Sequence, residues 1–161
     1  MPSRESDRED LLREATALVE RAELKIVGHA EPIVIGFRKD GSASFFFGAD
    51  PVYQFNSAGE LRRAYIGGLL YKAERGHLVA LRRERTATEV SLVRSELTAY
   101  ETTAFLMTLG GRLTHLHKAL AGESYTLLGQ VPADGDRIHR ILKWLAALPP
   151  IVEIAKAPNA H

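Results

Sequence analysis

The sequence predicts an α+β fold: an N-terminal amphipathic helix, an antiparallel β-meander of about six strands, and then two or three helices packed on the sheet. Three observations support this prediction. Apolar residues recur at helical spacing near the N-terminus, turn residues punctuate the chain between Ile33 and Arg85, and helical spacing returns from Thr98 onward. Because antiparallel sheets commonly bury one face and expose the other, the meander also indicates which side chains can meet a partner.

The composition is that of an ordinary globular protein. Of the 161 residues, 45% are hydrophobic and 25% are charged, which predicts one α+β domain over residues 1–161. The chain has no cysteine, which excludes disulfides, thiolate zinc sites and cysteine nucleophiles and is typical of a cytoplasmic protein. The net charge is +1, so any attraction to nucleic acid requires a local basic patch.

The ends of the chain predict neither export nor membrane insertion. The first ten residues are charged and lack the apolar stretch of a secretory signal. No uncharged apolar run reaches the length of about 18 residues that a spanning helix needs. We therefore expect no membrane partner, and we expect residues 1–6 and 155–161 to be mobile because they have little to bury.

The N-terminal helix is predicted from about Asp7 to Glu23. Its apolar stripe consists of Leu11, Leu12, Ala15, Leu18, Val19 and Ala22. Ser6 and Glu9 have the spacing of a capping box at its start.

The strands of the meander are separated by Asp40-Gly41, Phe47 to Pro51, Asn56 to Gly59, Gly67-Gly68 and Arg75-Gly76. The six predicted strands are Ile33–Arg38, Ser42–Phe47, Val52–Phe55, Glu60–Ile66, Leu69–Glu74 and Leu78–Glu84.

Turn lengths then predict the register of these strands. The expected cross-strand pairs are Arg63 with Lys72, Tyr65 with Leu70, Ala64 with Tyr71, Lys72 with Val79, Tyr71 with Ala80, and Tyr53 with Arg62.

Alternation along each strand sorts the side chains into two faces. The predicted core face contains Tyr53, Phe55, Ala64, Ile66, Leu69, Tyr71, Ala73, Leu78 and Ala80, with Arg62 and Arg82 at its margins. The opposite face collects Gln54, Leu61, Arg63, Tyr65, Leu70, Lys72, Glu74, His77, Val79, Leu81 and Arg83. We take Gln54, Arg63, Tyr65, Leu70, Lys72 and Arg83 as the candidate binding face.

After the meander, residues Thr88 to Val93 are compatible with either a strand or the start of a helix. A helix is predicted from Thr98, which forms a capping box with Glu101, to about Ala121. Gly110-Gly111 should kink or break this helix, because the two glycines together cost about 2 kcal/mol relative to alanines.

The last predicted elements are shorter. Tyr125 to Val131 predicts one more strand, and Asp134 or Asp136 caps a helix that Pro149-Pro150 ends. Ile151 to Ile154 has the composition of a terminal strand.

These patterns predict a non-enzymatic binding or protein-interaction domain, self-associating through the surface or the edge of its sheet. Leu61, Leu70 and Val79 lie on the predicted outer face and are too apolar to leave together in water. Phe45-Phe46-Phe47 places bulky rings on both faces of one strand, so one of those rings also needs cover.

Two other functions remain open. A nucleic-acid-binding module would use the cations Arg63, Lys72 and Arg83 and the ring of Tyr65. A small hydrolase-like enzyme would use Asp50 or Glu74 with His77 as an acid and base pair.

No metal site or cofactor is predicted. His115 and His117 are two residues apart on a helix, about 200° around its axis, and cannot chelate one ion there. His29 and His139 have no metal-ligand spacing to another residue, so each histidine is expected to have a structural or solvent role. The glycine pairs match neither the Walker nor the dinucleotide-binding pattern.

Overall fold

One nine-stranded antiparallel sheet and two helices make up residues 9, 13 and 16–156, the part of the chain that the computed structural model describes. The elements in chain order are β1 (Glu20–Ile26), β2 (Ile33–Phe37), β3 (Ala43–Phe47), β4 (Val52–Phe55), β5 (Leu61–Ile66), β6 (Leu69–Glu74), β7 (His77–Arg85), β8 (Val90–Glu96), α1 (Ala99–Ala121), β9 (Tyr125–Val131) and α2 (Arg137–Ala146).

The first eight strands form a simple meander, and the ninth returns to the opposite edge. The order across the sheet is β8-β7-β6-β5-β4-β3-β2-β1-β9. Helix α1 has 23 residues, and at the usual rise per residue it is about 35 Å long. Nine strands about 4.8 Å apart are about 38 Å wide. The helix is therefore long enough to carry the chain from β8 at one edge to β9 at the other.

The predicted order of elements is wrong in two respects. The sheet has nine strands rather than about six, and both helices that the structure describes follow the meander. Seven of the 17 residues of the predicted helix from Asp7 to Glu23 lie outside the described residues, as does Ser6 of its capping box. Its last part is a strand, because Ala22, Leu24 and Ile26 alternate with charged residues and are all buried.

The register set by two-residue turns is confirmed, whereas the register across the longer loop is wrong. Arg63 lies opposite Lys72, and Lys72 lies opposite Val79. Tyr53, however, lies opposite Ala64 rather than Arg62. Asn56 pairs with Glu60 across a three-residue loop, which shifts the register by one residue, and Arg62 forms a β-bulge that shifts it by one more.

The bulge also moves Leu61 to the other face of the sheet. The sequence predicts Leu61 on the outer face, but it lies opposite Phe55 and is 1% exposed within the core. The segment Thr88 to Val93, which the sequence makes compatible with a strand or a helix, is a strand from Val90 onward and forms the first part of β8.

The core lies between one face of the sheet, here called the inner face, and the two helices. Helix α1 contributes Leu109, Leu113, Leu116, Ala119 and Leu120, and α2 contributes Ile141 and Leu145. Trp144 of α2 packs its indole against Phe45 and Phe55, with ring centroids 5.1 Å apart in each case. Glu20 of β1 accepts a hydrogen bond from Arg137 at 3.0 Å and contacts Arg140, which fixes α2 to the sheet.

The other side of the sheet, here called the outer face, holds a second and smaller cluster. Phe46 packs there with Leu18 and Val52, while Phe45 and Phe47 enter the main core. The phenylalanine strand is thus covered on both faces by residues of the same chain.

The C-terminal part of the chain agrees with the prediction apart from three differences. The Thr98 capping box is present and Asp136 caps α2, but α1 runs without a break through Gly110 and Gly111. The predicted terminal strand is only a single parallel bridge between Leu61 and Ile154. Ala155, expected to be mobile, is buried and donates its N–H to Leu61 O at 2.8 Å.

Neither helix of the described segment is long and apolar enough to cross a membrane.

Candidate functional site

The candidate binding face forms two rows across the outer face of the sheet. Gln54, Arg63, Lys72 and Val79 lie side by side on successive strands. Tyr65, Leu70 and Leu81 make the next row, and Arg83 lies on β7 opposite Leu92 of β8.

This face is less accessible than the sequence suggests. Gln54 is 4% exposed and Val79 is fully buried, and Arg63, Tyr65, Leu70 and Lys72 are half-buried. Gln54 Oε1 and Arg63 Nε are buried without a hydrogen-bond partner among the described residues. Of the six predicted residues of this face, Arg83 alone is exposed.

Three arginines gather at one end of the outer face. Burial lowers the pKa of Arg38, and the neighbouring Arg63 and Arg62 lower it further while Asp40 opposes them. Arg38 donates to the hydroxyl groups of Ser42 and Ser44, at 3.2 and 2.7 Å. Asp40 is engaged by Ser42, whose hydroxyl and amide hydrogen bonds lower the pKa of its carboxyl group. The cluster is cationic and partly dehydrated, which is suited to an anion.

The candidate catalytic residues do not form one site. Asp50 lies in the β3–β4 turn, whereas Glu74 and His77 flank the β6–β7 turn. Successive turns of a meander alternate between the two ends of a sheet, so these two turns lie at opposite ends. Asp50 instead joins two turns at its own end, because its Oδ2 accepts a hydrogen bond from Gly67 N–H at 2.8 Å.

Glu74 and His77 are paired with β8 rather than with a reacting group. Glu74 forms an ion pair with Arg94, with Oε1 and Nη1 2.6 Å apart. His77 Nε2 lies 3.5 Å from Glu96. These contacts are cross-strand polar pairs at the sheet surface.

A cleft of about 590 Å³ separates the first half of α1 from strands β4 to β8. The residues that line its apolar part are Tyr53, Ile66, Leu69, Tyr71, Ala80, Val93, Leu97, Ala104 and Phe105. The Phe105 ring lies 4.9 Å from the Tyr71 ring. The size is in the usual range for a small-molecule or side-chain pocket. The sequence predicts Ile66, Leu69, Tyr71 and Ala80 on the core face, and the structure leaves all four half-buried at this open end of the inner face.

The charged groups of the cleft already have partners. Arg82 is paired with Glu84 at 2.6 Å, Glu96 contacts Arg94 and His77, and Glu101 belongs to the helix cap. An occupant of this cleft would therefore be held mainly by apolar and aromatic contact.

The two edge strands of the sheet, β8 and β9, both carry exposed apolar residues. Val90 and Leu92 of β8 are 57% and 62% exposed, and Leu128 of β9 is 50% exposed. Strand β8 pairs with β7 without interruption. Strand β9 has a bulge where it pairs with β1 and is followed by Pro132.

One pair of residues that the sequence could not bring together is His29 and His115. Their imidazole rings lie 5.4 Å apart, one from the β1–β2 loop and one from α1. Both line a second cavity, together with Arg112. The only signal in the sequence was the residue type, because the contact depends on how α1 crosses the sheet.

Across the described residues, no group of three or more His, Asp or Glu side chains is placed to hold a metal ion. Comparison of the chain with models of known families, with curated proteins and with solved structures finds no match.

Proposed function

We propose that the protein is a non-enzymatic, cytoplasmic binding domain that self-associates through the edge of strand β8. The observation that carries this proposal is the regular edge of seven residues, Val90–Glu96, which no other described strand covers and of which all but the half-buried Val93 are exposed. The separation of Asp50 from His77 and the absence of cysteine agree with a binding role in a reducing compartment.

The backbone of β8 presents a row of groups to a partner strand. Leu97 N–H bonds Leu78 O and Thr86 N–H bonds Glu89 O, so the β8 residues between them at positions 91, 93 and 95 face β7. Bonded and non-bonded residues alternate along an antiparallel pair. The N–H and C=O groups of Val90, Leu92, Arg94 and Glu96 therefore point away from the sheet.

Strand β8 also lacks the devices that protect the edges of sheets. In natural proteins, prolines, bulges or unpaired charges protect the edge strands of sheets from pairing with another chain. Strand β9 has such a bulge and a following proline, but β8 has neither. The charge of Arg94 is neutralised by Glu74 and Glu96 of its own chain. Of the two edges, β8 is the one suited to pairing.

Pairing of two β8 strands would also enlarge the binding surface. Val93 and Ser95 point from β8 into the cleft under α1. An antiparallel pair centred on Val93 would align all seven residues of both strands and place the two clefts side by side. Leu92 of each copy would then pack against the aliphatic stem of Arg94 of the other, which removes exposed apolar surface from water.

The first experiment is cross-linking of the single-cysteine variant Val93→Cys, which has no competing thiol because the natural chain has none. Residues at the centre of such a pair have Cα atoms about 4.5 Å apart, within the range of a disulfide. We expect mild oxidation to give a covalent dimer, at protein concentrations where the matched variant Val131→Cys on β9 stays monomeric. A dimer that forms equally with Val131→Cys, or with neither variant, would contradict the proposal.

The second experiment is the solution mass of Leu92→Pro. The Leu92 N–H does not bond β7, so proline removes an outward donor without removing a bond of the sheet. We expect the natural chain to be dimeric, and the variant to be monomeric with an unchanged circular dichroism spectrum. A natural chain that remains monomeric at high concentration, or a variant that remains dimeric, would refute pairing at this edge.

A second candidate function is binding of a nucleic-acid backbone by the outer face, and the cluster of Arg38, Arg62 and Arg63 supports it. Its test is the effect of salt. Replacement of Arg63 and Lys72 by alanine should weaken binding to a mixed-sequence oligonucleotide and reduce its salt dependence. Binding that is indifferent to both changes would eliminate this candidate.

A further inference from the structure

The cavity between the β1–β2 loop and the middle of α1, here called the histidine pocket, has a volume of about 220 Å³. Its floor is formed by Ile26, Ile33, Phe47 and Leu116, all of them buried. An apolar cavity of about 150 Å³ is known to accommodate one benzene ring. The floor of this pocket can therefore hold an apolar group of that size.

The mouth of the histidine pocket is polar and cationic. It is lined by His29, Arg112 and His115. Burial lowers the pKa of His29, and the positive charges of His115, Lys25 and Arg112 lower it further. A site where neighbouring cations disfavour another proton is a site that favours an anion.

Arg112 is well placed to hold that anion. Its guanidinium group lies near the hydroxyl group of Tyr53: burial raises the pKa of that hydroxyl group, the positive charge of Arg112 opposes this, and the core fixes the ring in position. A guanidinium group has five N–H donors, so contact with one hydroxyl group leaves others for a ligand. The carboxylate of Asp50 accepts a hydrogen bond from Gly67 N–H. Arginine and carboxylate groups form some of the strongest hydrogen bonds in proteins.

We propose that the histidine pocket binds a small monocarboxylate whose apolar body is about the size of one ring. The ring lies on the floor of the pocket, and the carboxylate lies at the mouth against Arg112 and the two imidazole rings. This site is separate from the β8 edge, and the proposal does not depend on self-association.

The test compares three probes by calorimetry and by the NMR signals of the imidazole rings. Benzoate has both the ring and the charge, benzyl alcohol lacks the charge, and acetate lacks the ring. We expect benzoate to bind at least tenfold more tightly than benzyl alcohol or acetate. A tenfold change in affinity is about the binding free energy that one charge-assisted hydrogen bond contributes. The signals of His29 and His115 should shift, while those of the other four of the six histidines remain in place.

Two neighbouring glycines of α1 give a matched pair of variants. Gly111 lines the histidine pocket and Gly110 lines a different cavity, and a Cβ atom at either would meet no atom within 4 Å. Gly111→Leu should abolish benzoate binding, whereas Gly110→Leu should leave it unchanged. Arg112→Gln should weaken benzoate binding at least tenfold and leave the binding of benzyl alcohol unchanged.

The proposal is overturned if benzoate shifts no histidine signal at millimolar concentration, or if benzyl alcohol binds as tightly as benzoate. It is also overturned if Gly111→Leu and Gly110→Leu, both confirmed as folded by circular dichroism, bind benzoate equally.

Discussion

Single polar side chains organise the turns of the sheet. Asn56 is buried, and its Oδ1 accepts hydrogen bonds from the N–H groups of Ala58 and Glu60 at 3.0 and 2.9 Å. Asp40 does the same for Ser42 in another turn. Side chains of this kind mimic the backbone bonds of a turn, which is why these turns could be located from the sequence alone.

At the same scale, His29 should make stability depend on pH. Its pKa is lowered from 6.5 in the folded protein, so the unfolded chain binds more protons near that pH. Well above pH 6.5, His29 therefore does not change the free energy of unfolding. As the pH falls below 6.5, His29 lowers this free energy increasingly. We expect His29→Gln to lose less of its free energy of unfolding than the natural chain between neutral and mildly acidic pH, as measured by urea denaturation.

The matched control for this prediction is His117→Gln, because His117 lies on α1 outside the histidine pocket and lines a different cavity. A pH profile of His29→Gln that coincides with those of the control and of the natural chain would show that His29 does not contribute.

At the scale of the element, helix α1 explains why the predicted break at Gly110-Gly111 is wrong. Leu109 and Leu113 flank the glycines and are buried against the sheet, 0% and 4% exposed. Burial of a leucine side chain contributes about 2 kcal/mol, which exceeds the cost of about 1 kcal/mol for each glycine. Tertiary packing thus maintains a helix that its local composition weakens.

This balance predicts that Gly110→Ala stabilises the protein. The new methyl group meets no atom within 4 Å, so the free energy of unfolding should rise by about 1 kcal/mol. Chemical denaturation with circular dichroism measures the change. The contrasting variant is Gly41→Ala, where φ is +90°, and we expect it to destabilise the protein by about 1 kcal/mol or more. An equal effect of both substitutions would contradict this explanation.

At the scale of the whole molecule, one core connects nearly every element. The main cluster includes residues of β1 to β7, of both helices and of the segment around Ile154. Trp144 joins α2 to the middle of the sheet through Phe37, Phe45 and Phe55. A continuous core of this kind has no internal boundary at which one part could unfold before another.

We therefore expect a single unfolding transition. Trp144 is the only tryptophan of the chain, so its fluorescence reports on the junction of α2 with the sheet. The denaturation midpoint measured by this fluorescence should equal the midpoint measured by far-ultraviolet circular dichroism. A fluorescence transition at lower denaturant would mean that α2 detaches independently, and it would refute the expectation.

Local chemistry explains which features could be predicted from the sequence. The two-residue turns at Gly67-Gly68 and Arg75-Gly76 set the register of β5, β6 and β7. The Thr98 capping box likewise depends on residues three apart in the chain. Interactions within a few residues are encoded where they occur, and they hold whatever the rest of the molecule does.

Tertiary contacts decided the rest. The segment around Ala22 fits both a helical and an alternating pattern, and it is a strand because β2 and β9 pair with it on both sides. The bulge at Arg62 moves Leu61 into the core, and the crossing of α1 brings His115 to His29. The turns and caps were determined by the sequence itself, whereas the ends of the sheet and both cavities depend on burial between distant segments, which no short stretch of chain encodes.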